Sequence, residues 1–174
     1  MAGAVVFSKW GRKMRVRQYR RADAACIAAI FFHSVREAAL RDYSAAQVEA
    51  WAPEMPDAGR FDARARDGRL VLVAVDENDA PIAYGDLEPT GHIDHLYCRP
   101  DHVGTGAASA LYDQLERSAL ALGLPKLFVE ASEAARRLFL RKGFSEIERR
   151  EFPVGGVMIH NYLMTKPLAP TRGG

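Results

Sequence analysis

The segment from residue 92 to residue 122 limits the possible folds of this chain more than any other. Residues 92–99 have the pattern of a β-strand, and Gly104 and Gly106 follow, before a helix that we predict to end near Leu122. A glycine has no Cβ, so the backbone at these two positions can approach a ligand closely. The unpaired N–H groups and the dipole of the following helix favour an anion. The segment is typical of a diphosphate-binding loop, although a simple strand-to-helix turn uses glycines in the same way.

Two other phosphate-binding loops can be compared with this segment directly. A P-loop needs Gly-x-x-x-x-Gly-Lys-Ser/Thr, and the chain contains no such run. A dinucleotide fingerprint needs a third glycine where Ser109 stands, although Glu130 lies at the right distance for a ribose-binding acid. Too little chain follows Gly106 for a doubly wound sheet, so we set the dinucleotide interpretation aside.

The other elements alternate in a way that predicts a mixed α/β (α+β) fold. Alternating or aliphatic runs predict strands, and Ser44-Ala-Ala-Gln47 has the spacing of a helix capping box. We therefore expect a mostly antiparallel central sheet flanked by helices on both faces. The predicted strands cover residues 14–19, 69–76, 80–87, 92–99, 126–130, 143–151 and 157–165, and the predicted helices begin after Asp23, Ser44, Asp57, Gly106 and Ser132.

Length and composition indicate one domain, which we place at residues 14–166 of the 174. Residues 1–13 are expected to be an N-terminal extension and residues 167–174 a flexible tail. Lysine and arginine number 24 against 22 acidic residues, which gives no electrostatic case for nucleic-acid binding. The apolar run 2–7 is too short for a signal peptide or a bilayer span, and two cysteines form no disulfide framework. We expect a cytoplasmic protein that does not bind membranes.

Two runs of residues resemble a known family. Asp94-His-Leu-Tyr-Cys-Arg-Pro-Asp-His-Val-Gly-Thr-Gly-Ala-Ala108, and Val129-Glu-Ala-Ser132 with Phe139-Leu-Arg-Lys-Gly-Phe144, resemble the GNAT superfamily of N-acetyltransferases. The likeness covers residues 14–166, and residues 43–53 are similar to its bacterial YafP-like branch. The resemblance implies that acetyl-CoA is the acetyl donor and that a primary amine attacks the thioester directly in a ternary complex. It also implies that a homodimer is possible.

The resemblance further implies where coenzyme A binds. The family's loop pattern, Gln/Arg-x-x-Gly-x-Gly/Ala, falls on residues 103–108, where the second and third anchors match and Val103 replaces the first. Thr105 stands where many members have Arg or Lys, Ser132 where an Asn contacts pantetheine, and Phe139 where a Tyr protonates the thiolate. The expected cofactor contacts are Leu96, Tyr97, Cys98, Val103, Gly104, Thr105, Gly106, Ala107, Ala108, Ser132 and Phe139.

Catalysis needs a base for the amine, a donor for the developing oxyanion and an acid for the departing thiolate. We rank the candidate bases as Asp94, then His95, then His92, all on the strand that lines the acetyl group in this family. Simple alternation places His95 on the opposite face from the other two, unless a bulge intervenes. A backbone N–H near residues 96–98 is the expected oxyanion donor. Phe139 cannot donate a proton, so Tyr162, Tyr97 or a water must act as the acid.

Four interpretations compete with direct transfer to a small amine. Cys98 could carry the acetyl group covalently, but the family's chemistry needs no nucleophile. A zinc site of His92, Asp94, His95 and Cys98 would need strand ligands that point to both faces, so we expect no metal. The protein could also acetylate a peptide amine, or bind acyl-CoA without catalysis, since the tyrosine at Phe139 is missing.

The acceptor pocket is expected to come from the early helices. Tyr43 and Trp51 are candidates for its wall, and Asp42, Glu49 or Asp86 for holding a cationic amine.

Overall fold

The first of two antiparallel sheets contains five strands in the order β1-β2-β3-β4-β5. The computed structural model describes residues 5–7 and 13–168, and all statements below concern these residues. Neighbouring strands of the sheet pair antiparallel throughout. The strands are β1 (Val5–Phe7), β2 (Lys13–Gln18), β3 (Leu70–Val75), β4 (Pro81–Leu87) and β5 (Leu96–Cys98).

The second sheet contains three strands in the order β6-β8-β7, again antiparallel. They are β6 (Lys126–Ala131), β7 (Ser145–Val154) and β8 (Val157–Pro167). One parallel bridge, between His92 and Phe128, joins the two sheets. Gly91 permits this approach, because a Cβ at that position would lie 2.3 Å from the Lys126 carbonyl oxygen. Beyond the bridge β5 and β6 separate.

Helices cover both faces of the first sheet, as predicted. The α4 helix (Ala107–Ala121) packs its Leu111 and Leu115 in the main apolar core with residues of β2, β3 and β4. On the other face α1 (Ala24–Arg36) and α3 (Ala58–Arg64) share a second core with β3 and β4. The remaining helices are α2 (Ala45–Trp51) and α5 (Glu133–Arg141). The predicted fold class, a mixed and mostly antiparallel sheet with helices on both faces, is confirmed.

The predicted capping box at Ser44 is present. The Gln47 N–H donates to Ser44 Oγ at 3.2 Å, and the Ser44 N–H donates to Gln47 Oε1 at 2.9 Å. These bonds satisfy backbone donors at the start of α2, which is why that helix begins at Ala45.

The single strand predicted over residues 92–99 is wrong. Only Leu96–Cys98 pairs with β4, while the Ile93 N–H donates to the Phe128 carbonyl oxygen in the second sheet. The N–H groups of Asp94 and His95 donate instead to the side chain of Asp86. The segment therefore kinks as it passes from one sheet to the other.

Both ends of the chain contribute more than the sequence indicated. Val5–Phe7, in the expected N-terminal extension, pairs with β2, and β8 continues to Pro167. Leu168 packs in the main core with 8% of its surface exposed. Residues 1–4, 8–12 and 169–174 of the predicted extension and tail lie outside the described residues.

Within residues 5–7 and 13–168, no helix has the length and apolar character that crossing a membrane requires.

Candidate active site

A cavity of about 450 Å³ opens where β5 and β6 separate. Its floor is β5 and its sides are the start of α4, the exposed turns of α5 and the segment that follows α1. We call it the donor cavity. The predicted cofactor residues in its lining are Leu96, Tyr97, Cys98, Val103, Gly104, Gly106, Ala107, Ala108 and Ser132.

The glycine loop presents backbone donors to the donor cavity. Gly104 and Gly106 have φ values of +82° and +97°, in the left-handed region that glycine adopts without strain. The first helical bond of α4 runs from the Ala110 N–H to the Gly106 carbonyl, so the three preceding N–H groups of the helix have no partner within it. These donors and the helix dipole fit an anionic diphosphate.

The two loop positions that depart from the family pattern provide no polar side chain to the cavity. Val103 is apolar and 48% exposed, and the Thr105 hydroxyl donates to the His102 carbonyl oxygen at 2.7 Å. Positive charge comes instead from three arginines in the cavity wall. One of them, Arg137 of α5, makes a bidentate ion pair with Asp42 at 2.7 and 2.9 Å. The other two are Arg41 and Arg141.

Phe139 and Tyr162 do not reach the donor cavity. Phe139 is 2% exposed, and its ring packs in the core against Tyr112 and Phe144. The Tyr162 hydroxyl donates to the Glu133 carboxylate, and its ring lies under the Arg136 guanidinium at 4.7 Å. Of the two tyrosines considered as the acid, Tyr97 is therefore the one that lines the cavity.

Cys98 lines the cavity as a protonated thiol. Burial raises the pKa of Cys98 to about 12, with the charge of Asp101 acting in the same direction. A thiol with such a pKa is a poor nucleophile near neutral pH, which disfavours the covalent carrier.

A second cavity, of about 740 Å³, lies on the other side of Trp51. Trp51 belongs to the linings of both cavities, so the two are neighbours. Phe31, Phe61 and Met55 supply apolar walls, and Arg64 and His95 supply polar groups. We call it the acceptor cavity.

His95 is held by aromatic neighbours at the acceptor cavity. Its ring stacks on Phe31, with centroids 5.7 Å apart and planes 14° apart, and its Nδ1 lies 3.0 Å from the Tyr84 hydroxyl. Burial lowers the pKa of His95 to about 4, since the opposing effect of Asp86 is smaller. The imidazole is therefore neutral at physiological pH.

The side chains of the other two candidate bases are held by polar neighbours. The Asp94 carboxylate accepts a hydrogen bond from Arg64, and Arg69 lies 3.6 Å away. Burial is the largest single influence and raises the pKa of Asp94, but the Arg64 hydrogen bond together with the nearby positive charges outweighs it, so the pKa lies below its usual value. His92 Nε2 lies 2.6 Å from Glu130, and its ring stacks on Phe128. Of the three, His95 is the one that lines a cavity.

The residues expected around the acceptor are distributed differently from the prediction. Trp51 lines both cavities, but Tyr43 is buried, where its hydroxyl accepts from the Glu133 N–H and donates to the His160 carbonyl. Asp42 faces the donor cavity, Glu49 is exposed outside both linings, and Asp86 is only 2% exposed. Sequence reasoning missed Phe31, Phe61 and Arg64, which no local motif marks.

The suggested zinc ligands do not converge. Ligand atoms of Glu88, His92 and Asp94 come within 4.8 Å of one another, but His95 and Cys98 are not part of this group. Two of these three residues already have other partners. Asp94 contacts Arg64, and His92 contacts Glu130.

Stability should fall with acid because of His95. Its pKa is about 6.5 in the unfolded chain and about 4 in the folded chain, so the unfolded chain binds more protons between these values. The free energy of unfolding should therefore decrease by about 2–3 kcal/mol as pH falls from 7 to 4, over and above the contribution of other groups. Denaturant unfolding at both pH values, of the wild type and of His95→Gln, isolates this part. An equal loss in both proteins would contradict the assignment.

Comparisons with known proteins point to one family. The family described as "Acetyltransferase (GNAT) domain" matches residues 39–166. An uncharacterized N-acetyltransferase of Escherichia coli K12, YafP, is 28% identical over 152 residues, which cover 87% of this chain and 94% of that protein. The crystal structure of a GCN5-related N-acetyltransferase from Rhodopseudomonas palustris is 34% identical, with a TM-score of 0.81 over 97% of this chain and 100% of that one.

Two more distant structures share the fold. A GNAT phosphinothricin acetyltransferase from Sinorhizobium meliloti, in complex with acetyl-CoA, has a TM-score of 0.72 at 21% identity and covers 92% of this chain. YncA of Salmonella typhimurium, with acetyl-CoA, has a TM-score of 0.70 at 22% identity and the same coverage of this chain. The alignments cover 94% of the Sinorhizobium meliloti chain and 97% of the Salmonella typhimurium chain.

The chain belongs to the GNAT family. It is an acyl-CoA-dependent N-acetyltransferase whose acetyl donor is acetyl-CoA.

Proposed function

We propose that this enzyme transfers the acetyl group to the primary amine of a small molecule in a ternary complex. Acetyl-CoA occupies the donor cavity and the amine occupies the acceptor cavity. One observation carries the proposal, which is that the two cavities are neighbours. Trp51 lines both of them, and in one short segment Tyr97 lines the donor cavity and His95 lines the acceptor cavity. The aromatic and thioether walls and the mixture of acidic and basic groups in the acceptor cavity support a small acceptor rather than a peptide.

The backbone of β5 supports a role in holding the thioester. The Asp86 N–H donates to the His95 carbonyl and the Arg99 N–H to the Ile82 carbonyl, so residues 95 and 99 direct their main-chain groups toward β4. Because these directions alternate in an antiparallel pair, the N–H groups of Leu96 and Cys98 face the split between the sheets. When bound there, acetyl-CoA supplies an electrophilic carbonyl, and these N–H groups are placed to stabilise the charge that develops on its oxygen.

His95 is proposed as the base. With the proton on Nδ1 donated to the Tyr84 hydroxyl, Nε2 keeps a lone pair that accepts the proton of the attacking amine, directly or through a water. His95 replaces our first-ranked candidate, Asp94, because Arg64 occupies the Asp94 carboxylate.

Tyr97 is proposed as the acid. Burial raises the pKa of Tyr97, so its phenol carries a proton to deliver to the departing thiolate. Its position in the donor cavity fills the role that Phe139 cannot perform.

Replacing Tyr97 with phenylalanine should lower kcat at least about tenfold and leave the acetyl-CoA Kd within about threefold, because only the proton donor is lost. Steady-state kinetics and calorimetric titration measure the two quantities. Tyr162→Phe is the matched control, since it removes a phenol bonded to Glu133 outside the donor cavity, and kcat should stay within about twofold of the wild-type value. Equal effects of the two substitutions would contradict the role of Tyr97.

The test of the function is thiol release from acetyl-CoA with a panel of primary amines: free amino acids, aromatic alkylamines and a peptide with a free N-terminus. Release that depends on a small amine, with the acetylated amine found by mass spectrometry, would support the proposal. Release with the peptide alone would favour a peptide acetyltransferase. Tight acetyl-CoA binding without release with any amine would favour an acyl-CoA-binding module.

A further inference from the structure

Asp86, near the end of β4, carries a carboxylate that is buried behind the lining of the acceptor cavity, with 2% of the residue exposed. Its Oδ1 accepts the N–H groups of Asp94 and His95 at 3.0 and 2.9 Å. Its Oδ2 accepts Arg64 at 3.1 Å and Arg69 at 2.9 Å. Both oxygens of this carboxylate therefore have two hydrogen-bonding partners each.

We infer that Asp86 is a positioning residue for acetyl transfer, which fixes His95 and one wall of the acceptor cavity through a single carboxylate. The inference rests on the proposed role of His95. It assigns to Asp86 no contact with either substrate.

The first step of the argument is the ladder between β4 and the kinked segment. In a regular antiparallel pair two residues exchange both of their backbone hydrogen bonds. Here the Asp86 N–H donates to the His95 carbonyl at 3.0 Å, but the His95 N–H donates to the Asp86 side chain instead of its carbonyl. The same Oδ1 accepts the Asp94 N–H, so this side chain interrupts the backbone ladder, which resumes with the bond from the Glu88 N–H to the His92 carbonyl at 2.8 Å.

The kink decides where His95 points. Downstream of it, Leu96–Cys98 returns to regular pairing with β4, and upstream Ile93 pairs with Phe128. His95 lies at the junction, with its ring against Phe31 and at the lining of the acceptor cavity. Without the acceptor at Oδ1, the N–H groups of Asp94 and His95 would lose their partner, and the junction would relax to find another.

The second step is the link to α3. Arg64 is the last residue of α3 and lines the acceptor cavity, and it donates to both Asp86 and Asp94. Arg69, just before β3, donates to Asp86 and to Asp67. The carboxylate therefore ties the end of α3 to the same junction that holds His95.

The donor cavity does not depend on this carboxylate. Its strand, Leu96–Cys98, is held by backbone pairing to residues 83–85, and its glycine loop lies further along the chain. A substitution at Asp86 should therefore impair catalysis and acceptor binding and leave donor binding unchanged. A general loss of structure would impair all three.

The experiment compares Asp86→Asn with the wild type. An asparagine amide has one accepting oxygen and one NH₂ group. In one orientation the NH₂ group faces the arginines and in the other it faces the backbone N–H groups, so the amide cannot accept from both sides. We expect kcat to fall about 30- to 100-fold, the acceptor KM to rise, and the acetyl-CoA Kd to stay within about threefold. The acceptor in the assay is the amine of the panel that the wild type acetylates fastest. We also expect the amide protons of Asp94 and His95 to exchange with deuterium at least about tenfold faster, as read by NMR.

Asp23→Asn is the matched control. Asp23 is 5% exposed, accepts Arg17 at 2.7 and 2.9 Å and accepts the Arg20 N–H at 2.8 Å, outside both cavity linings. The Asp23→Asn variant also loses a buried carboxylate, but one outside both cavities, so its kcat should change less than about twofold.

Three results would overturn the inference: a wild-type kcat in folded Asp86→Asn, a parallel loss of acetyl-CoA affinity, or an equal loss of kcat in Asp23→Asn. If Asp86→Asn does not fold, hydrogen exchange of the wild type alone tests the inference. Rapid exchange of the Asp94 and His95 amides in the wild type would show that the carboxylate does not hold them. If His95→Gln retains activity, the proposed base fails. The exchange of these two amides still reports on Asp86 separately.

Discussion

Gly106→Glu should abolish acetyl-CoA binding, with an affinity loss of at least about 100-fold. Gly106 has φ +97° and stands immediately before α4, among the N–H groups that fit the diphosphate. A glutamate there adds about 1–2 kcal/mol of left-handed backbone strain and a negative charge beside the N–H groups that we propose hold the diphosphate. Isothermal titration with acetyl-CoA measures the effect.

Gly123→Glu separates the loss of the ligand site from the backbone strain. Gly123 follows the opposite end of α4, has φ +68°, and has no atom within 4 Å of a built Cβ. The strain and the added charge are therefore similar, but the donor cavity is distant. Both variants should melt at similar temperatures, and only Gly106→Glu should lose acetyl-CoA. Wild-type affinity in folded Gly106→Glu would remove the glycine loop from the donor site.

His95→Gln should lower kcat at least about 100-fold and leave the acetyl-CoA Kd within about threefold. Glutamine keeps a polar side chain of similar length but cannot accept a proton at neutral pH, so only the base is lost. Because the pKa of His95 is about 4, the imidazole is neutral above that value. We therefore expect no fall in wild-type kcat through protonation of His95 between pH 8 and pH 5.

Two neighbouring substitutions test the order of the candidate bases. His92→Gln changes a histidine of the same segment that pairs with Glu130, and Asp94→Asn removes a carboxylate that Arg64 already occupies. We expect each to lower kcat less than about fivefold. A loss at Asp94→Asn as large as that at His95→Gln would restore Asp94 as the base.

The glycine loop and its helix could be predicted because their signal is local. Gly104 and Gly106 require positive φ, and the apolar face of α4 repeats within one stretch of chain. The α2 start was equally local, since Ser44 and Gln47 cap one turn. Such features need no knowledge of the rest of the fold.

The kink at residues 93–95 could not be predicted from its own residues. The segment has the composition of a strand, and alternation treats it as one. What breaks it is the carboxylate of Asp86, whose effect depends on burial and on the arginines that neutralise it. The ranking of the three candidate bases depended on that kink, so the sequence named His95 among them but gave no reason to propose it first.

The acceptor cavity could not be predicted from the sequence for a related reason. Phe31 comes from α1, Trp51 from α2 and Phe61 from α3, and their convergence depends on how three helices pack. Each residue alone has the character of an ordinary core aromatic. The absence of a tyrosine at Phe139 was visible in the sequence, but the choice of Tyr97 over Tyr162 as the proposed acid required the lining of the donor cavity.

The assignment of the two cavities is tested most directly by hydrogen–deuterium exchange of the wild type, read by mass spectrometry, with and without saturating acetyl-CoA. We predict that acetyl-CoA slows exchange in residues 103–110 and 96–98, and leaves residues 52–64, which border the acceptor cavity, unchanged. Slower exchange in residues 52–64 with none in residues 103–110 would contradict the placement of the donor, and with it the proposed path of the amine.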